Sequence, residues 1–256
     1  MNVAPFTPFL TRCIEAAREI IALLDSGDSA LYVKHTQGAG GDVSIGADLE
    51  CQRIFAKHLL PLAHIDSEES GFIPSPHSTD DIIILDPLDG SDNFLSHIPY
   101  YGASVALCNR DRICKEAVVI HFCTQRLIAR SGGRIFALSL GDFRGDSISL
   151  DSHTFTCANT PKCGIFEKAY SNPHIASLFF ESGLKFRSLG ASALSIALAH
   201  KVSFMLFAGS IREYDSKAGL FLCEGLHINH SRDFLLISKD KQIFDTIMQL
   251  LTQGKD

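Results

Sequence analysis

The stretch Asp81-Ile82-Ile83-Ile84-Leu85-Asp86-Pro87-Leu88-Asp89-Gly90-Ser91-Asp92-Asn93-Phe94 constrains the fold more than any other part of this 256-residue chain. Its apolar run, Ile82 to Leu85, reads as a buried strand. The run ends in two carboxylates three residues apart, followed by a glycine, a hydroxyl and a polar turn. Across a proline-containing turn, Asp86 and Asp89 can converge on one ion, with the Leu88 carbonyl between them. Oxygen-only ligands suit hard cations. Amides at Gly90 and Ser91, opening a turn or helix, suit an anion. The same spacing also describes an Asx-type turn in which Asp, Pro and Gly play ordinary turn roles.

Three further clusters carry chemistry-bearing residues near predicted element ends. In Ser67-Glu68-Glu69-Ser70-Gly71 the adjacent acids point in different directions. One could bind metal while the other orients water, or the segment is a solvated acidic loop. Asp48, in Asp42-Val43-Ser44-Ile45-Gly46-Ala47-Asp48, opens a helix, as does Asp215 in Arg212-Glu213-Tyr214-Asp215; capping alone would account for either. Gly190-Ala191-Ser192-Ala193 opens another helix, and either offers amides to a substrate oxygen or only packs. Jointly, Glu69, Asp86, Asp89 and Asp215 come from three segments. Acids brought into one cleft repel, and cations are then needed to hold them.

Composition limits the alternatives. With 46% hydrophobic and 20% charged residues the chain can build a large globular core. A net charge of −6 lacks the basic footprint of a nucleic-acid binder, so no nucleic-acid partner is expected. No apolar run reaches the roughly 18 residues of a membrane span. Residues 1–10 do not read as a secretion signal. The eight cysteines include no C-x-x-C pair, which fits reduced thiols in a cytoplasmic protein and lacks the spacing of structural zinc.

Periodicity predicts helices over 7–25 and from Ala47 to Pro61, with a flexible glycine-rich loop over 34–41 between them. Strands are predicted at 82–85, 102–108, 116–122, 126–130 and 134–139, with turns at 131–133 and 141–147. The second half alternates: helix 173–182, strand 184–188, helix 191–200, strand 201–208 covered on both faces, a helix after Asp215, strand 234–238 and helix 241–251. This pattern divides the chain into an α+β half, residues 1–145, carrying most candidate ligands, and an α/β half, residues 146–256, carrying the Gly190 turn and Asp215.

On these residues the chain resembles the inositol monophosphatase family of Mg²⁺-dependent, lithium-sensitive phosphatases, a group that includes fructose-1,6-bisphosphatases and 3′-phosphoadenosine nucleotide phosphatases. Asp86 through Phe94 fits its signature D-P-[ILV]-D-G-[ST]-x-[NS]-[FY] at every position. Glu68-Glu69, Asp42 to Asp48, the Gly190 turn and Tyr214 to Gly219 match its other motifs in order. The resemblance implies a layered α-β-α-β-α sandwich, two to three Mg²⁺ ions, lithium inhibition and a homodimer. It assigns Glu69, Asp86 and the Leu88 carbonyl to a first ion, and Asp86, Asp89 and Asp215 to a second. Glu69 would hold a weaker third. Ser91 with Asp48 would activate water, with Glu68 beside them. Asp89, Gly90, Ser91, Gly190, Ala191, Ser192, Arg212 and Asp215 would contact substrate, and Lys34 matches a family lysine near the metals.

The chain departs from the family pattern in places. Tyr214 replaces the usual tryptophan, Lys217 a small residue, and Ser91 the commoner threonine. An acid used to hold inositol hydroxyls is Ala208 or Gly209 here, with Arg212 nearby to meet a second anionic group or a neighbouring subunit. The implied function is hydrolysis of inositol monophosphate or a related sugar or polyol phosphate. Fructose 1,6-bisphosphate and 3′-phosphoadenosine 5′-phosphate are alternative substrates, and a regulatory binding protein on the same fold is a third reading.

Overall fold

The computed structural model describes residues 6–142 and 161–253. Helix α1 (Pro8–Leu24) starts with proline in its first turn. The Thr7 hydroxyl at its N-cap accepts from the Leu10 amide, an arrangement that satisfies an orphan donor. Helix α2 (Gly46–Leu59) begins where the Asp48 carboxylate reaches back to the Ile45 amide. Both helices bury one apolar face, including Ile14, Ala17 and Ile20 of α1 and Cys51, Ile54 and Phe55 of α2.

They cover one side of a seven-stranded sheet. Its strands are β3 (His64–Ser67), β4 (Gly71–Ile73), β5 (Ile82–Asp89), β6 (Gly102–Cys108), β7 (Cys114–His121), β8 (Arg126–Ser131) and β9 (Arg134–Ser139), in the order β4-β3-β5-β6-β7-β8-β9. Only β3 and β5 run parallel; every other pairing is antiparallel. Along β5, side chains alternate between two cores. Ile83 and Leu85 meet α1 and α2, while Ile84 faces α5 (Ser192–Ala197) and α6 (Glu213–Leu222).

The opposite side of α5 and α6 rests on a second sheet: β10 (Gly164–Glu167), β11 (Phe186–Arg187), β12 (Met205–Ala208), β13 (His227–His230) and β14 (Phe234–Ser238), ordered β11-β10-β12-β14-β13. Met205 and Phe207 of β12 pack toward α5 and α6. Leu206 packs toward the far layer, made by α4 (Pro173–Glu181) and α7 (Lys241–Gln253). Five layers result, α-β-α-β-α, as expected, and β12 is covered on both faces. Helix α6 lies so close to α5 that a Cβ at Gly219 would stand 2.4 Å from Ile196 Cγ2.

Several expectations need correction. Residues 34–41, expected as a flexible loop, contain strand β1 (Lys34–Gln37), paired antiparallel with β2 (Val43–Ile45). All four β1 side chains are exposed, so no apolar alternation marks the strand. Strand β5 does not stop at Leu85. It continues through both aspartates to Asp89, because Asp86 pairs with Ser104 and Asp89 with Gly102, with an irregularity between them. Strand β12 begins only at Met205; Lys201 to Phe204 leave a 3₁₀ turn. The predicted turn at 141–147 and the division at 145/146 fall on or against residues from 143 onward, outside the described residues.

Candidate active site

The ends of β3 and β5, the start of α2, the β1–β2 turn, the Gly190 turn and the start of α6 enclose a cleft of about 960 Å³. Its floor is acidic. Carboxylate oxygens of Glu68, Asp86 and Asp215 all lie within 4.8 Å of one another, and all three residues are buried. Parallel pairing of β3 with β5 makes this possible: the Glu68 amide donates to the Leu85 carbonyl at 3.0 Å, setting Glu68 beside Asp86. Asp215 arrives in the first turn of α6.

The adjacent acids are exchanged relative to expectation. Glu68, expected to assist with water, is the one in the three-acid group. Glu69, expected as the metal ligand, accepts a hydrogen bond from the Ser44 hydroxyl and is outside that group. The cause is local: side chains of successive extended residues point to opposite sides, and the pattern of two glutamates does not say which side faces the cleft. Asp89 is also turned elsewhere. Its two oxygens accept the amides of Ser192 at 2.8 Å and Leu194 at 3.0 Å, capping α5 and fixing the Gly190–Ser192 turn against β5.

Ser91 and Asp48 do meet. The Ser91 hydroxyl lies 2.7 Å from Asp48 Oδ1 and 3.0 Å from the Leu88 carbonyl, while Asp48 Oδ2 accepts the Ile45 amide at 2.7 Å. The Leu88 amide in turn donates to Asp86 at 3.0 Å. Gly90, which precedes the short helix α3 (Ser91–Leu95), makes the turn between them with φ of +92°, a left-handed conformation, and a Cβ there would press on Ala191 at 3.0 Å. Lys34, Gly190, Ser192 and Arg212 also line the cleft.

Arg212 is the cationic counterpart of this floor. Its guanidinium reaches Glu68 at 2.6 Å, Asp215 at 2.9 Å and Asp42 at 2.8 Å. It thereby ties the β1–β2 turn to α6. One arginine does not offset the collected acids. Burial pushes Glu68 up to about 8, with Asp215 adding repulsion, and Asp89 up to about 7 for the same two reasons. Asp86 lies well above the usual carboxylate range through burial, then Glu68 and Asp89. Burial lifts Asp48 to about 7 despite its two hydrogen bonds. Buried oxygen donors that disfavour their own ionisation fit a hard divalent cation, which would restore the charged form.

Sequence reasoning gave no role to four supporting residues, one of which, Tyr214, it noted only as a departure from the family pattern. Glu167 of β10 accepts the Gly190 amide at 3.0 Å and the Ser195 hydroxyl, holding the Gly190 turn in place. Asn93 donates to the carbonyls of Tyr100 at 2.7 Å and Leu189 at 2.8 Å. Tyr214 donates to Asp66 at 3.0 Å, and Arg112 bridges Asp66 at 2.9 Å and Glu213 at 2.7 Å. The fixed position of Asn93 inside the β5 motif was an available signal; Glu167 and Arg112 had none.

The profile of the Inositol monophosphatase family matches residues 6–226. The chain belongs to this family. Among its relatives is the Nus factor SuhB of Escherichia coli (strain K12), 26% identical over 224 residues, which span 84% of this chain and 81% of the relative. The fold is shared with the extragenic suppressor protein SuhB of Bartonella henselae, with a TM-score of 0.75 at 19% identity over 97% of this chain and 100% of the other. It is shared as well with the fructose-1,6-bisphosphatase of Leishmania major, with a TM-score of 0.75 at 15% identity over 96% and 94%.

Proposed function

We propose that the protein is a Mg²⁺-dependent phosphomonoesterase acting on inositol monophosphate or a related sugar or polyol phosphate. The observation that carries this reading is the convergence of Glu68, Asp86 and Asp215 beside the Ser91–Asp48 pair in one acidic cleft. Glu68, Asp86 and Asp215 would hold a first ion. Asp89, the Leu88 carbonyl and Glu69 stand next to them for further ions. When bound, such ions acidify water and neutralise charge on the phosphoryl group.

The chain's own residues do the rest. Ser91 passes a proton from the attacking water toward Asp48, whose raised pKa lets it accept that proton near neutral pH. The Gly90 and Ser91 amides, at the left-handed turn, would hold the phosphate. Asp89, by fixing the amides of Ser192 and Leu194, orients the Gly190–Ser192 turn toward the leaving group. Because phosphoryl transfer is chiefly positioning and electrostatics, no covalent enzyme intermediate is required. Hydrolysis in ¹⁸O-labelled water should deliver label to inorganic phosphate; label in the alcohol would overturn direct attack.

A phosphate-release screen with Mg²⁺ against inositol 1-phosphate, fructose 1,6-bisphosphate and 3′-phosphoadenosine 5′-phosphate tests the substrate class. Lithium inhibition and a homodimer are expected on the same reading. A second reading, a regulatory binding protein, gains support from the relatives named Nus factor. It predicts no release from any of the three phosphates and no effect of Asp86→Asn on partner binding.

A further inference from the structure

The hairpin joining β6 to β7 carries two cysteines that face each other. Asn109 N–H donates to the Ile113 carbonyl at 2.9 Å across a three-residue loop in which Arg112 adopts a left-handed conformation, φ +61°. The next pair back along the strands sets Cys108 opposite Cys114, beside a register shift that places Leu107 opposite Glu116. Next to the Asn109–Ile113 bond it takes the place without mutual backbone hydrogen bonds, where a regular ladder holds Cα atoms about 4.5 Å apart. That separation lies inside the range disulfides span, about 4.4–6.8 Å. Both side chains turn toward α6, where Cys108 is buried and Cys114 half-buried. Each thiol donates to a carbonyl of its own strand, Cys108 to Ala106 at 3.8 Å and Cys114 to Glu116 at 3.3 Å.

We propose that Cys108 and Cys114 form a dithiol modification site, which a low-molecular-weight disulfide such as oxidised glutathione converts to an intramolecular disulfide. Cys114 is the sulfur an oxidant reaches first. Its thiolate attacks one glutathione sulfur, the S–S bond breaks, and one glutathione leaves carrying the proton that Cys114 gave up. Cys108 then attacks the Cys114 sulfur of the mixed disulfide, and the second glutathione leaves with the Cys108 proton. Two protein thiols are oxidised and one glutathione disulfide is reduced to two thiols. The second step needs no long-range movement, because Cys108 stands opposite Cys114 on the neighbouring strand.

The location gives the modification a structural consequence. Arg112, inside the stapled loop, bridges Asp66, two residues before Glu68, and Glu213, two residues before Asp215. The disulfide fixes the hairpin that braces both acid-bearing elements.

The whole chain, incubated with oxidised glutathione and digested with trypsin without reduction, tests this. Trypsin cleaves after Arg110, Arg112 and Lys115, so only a disulfide keeps Ile113-Cys114-Lys115 attached to the peptide holding Cys108. The expected product is that linked species, lighter than the two peptides by two hydrogens and separated by dithiothreitol. Cys108→Ser should retain one glutathione on Cys114, and Cys114→Ser should gain none at Cys108. A wild-type chain in which both thiols remain alkylatable, in which glutathione stays on Cys114, or in which either cysteine links elsewhere would overturn the proposal.

Discussion

Asp48 receives two hydrogen bonds, from the Ile45 amide and the Ser91 hydroxyl, and burial still lifts it to about 7. A carboxylate so placed can take a proton through Ser91 near neutral pH. Ser91→Ala should therefore lower kcat by about 10²–10⁴-fold, the usual worth of general acid–base assistance, with an unchanged circular-dichroism spectrum. A loss below tenfold would remove the pair from the mechanism. The two glutamates offer a sharper comparison. Glu68→Gln should weaken Mg²⁺ binding, followed by titration calorimetry, more than Glu69→Gln does. Glu69, hydrogen-bonded to Ser44, lies outside the three-acid group and is proposed only for a further ion, so its loss should cost the first ion less. Equal effects, or the reverse order, would restore the assignment read from the sequence.

Among the elements, α5 and α6 are sandwiched between two sheets, so their contact has no free side along which to relax. Gly219→Ala would drive a methyl to 2.4 Å from Ile196 Cγ2. Overpacking of this kind costs about 1–3 kcal/mol, and in a chain of this size each kcal/mol moves Tm by roughly 2–4 °C. A thermal melt within 1–2 °C of wild type, on the order of experimental scatter, would show the layers to be more pliable than drawn. The sandwich was legible because its strands and helices carry apolar periodicity: α1, α2, β6 and α7 announce themselves by pattern. Strand β1 was not, because all its side chains are exposed and only backbone pairing makes it a strand. The acids at 86, 89 and 215 were legible from a motif, while the roles of Glu68 and Asp89 were not. Which side an extended residue faces, and whether an aspartate caps a distant helix, depend on contacts between segments 100 or more residues apart, as between Asp89 and Leu194.

At the scale of the molecule, the cleft opposes the stability of the metal-free protein. Asp48, Glu68 and Asp89 have folded pKa values of about 7, 8 and 7, raised mainly by burial above their ordinary values. Between those values the folded state binds more protons than the unfolded one, so stability falls as pH rises. Metal-free protein should consequently lose Tm steadily between about pH 5 and pH 8, and saturating Mg²⁺ should flatten that slope. A metal-free Tm that climbs over the same interval would mean these carboxylates ionise without penalty.

The bond between Arg212 and Asp42 joins positions 170 residues apart. During synthesis Glu68 and Asp86 leave the ribosome well before Arg212 and Asp215 exist, a delay on the order of ten seconds at ordinary elongation rates. Throughout that interval the growing chain has already made the crowded end of its first sheet and lacks the helix that closes it. Nascent chains halted after β9 should thus expose this acidic edge to solvent, and protease protection of the β1–β2 turn should appear only once α6 has emerged.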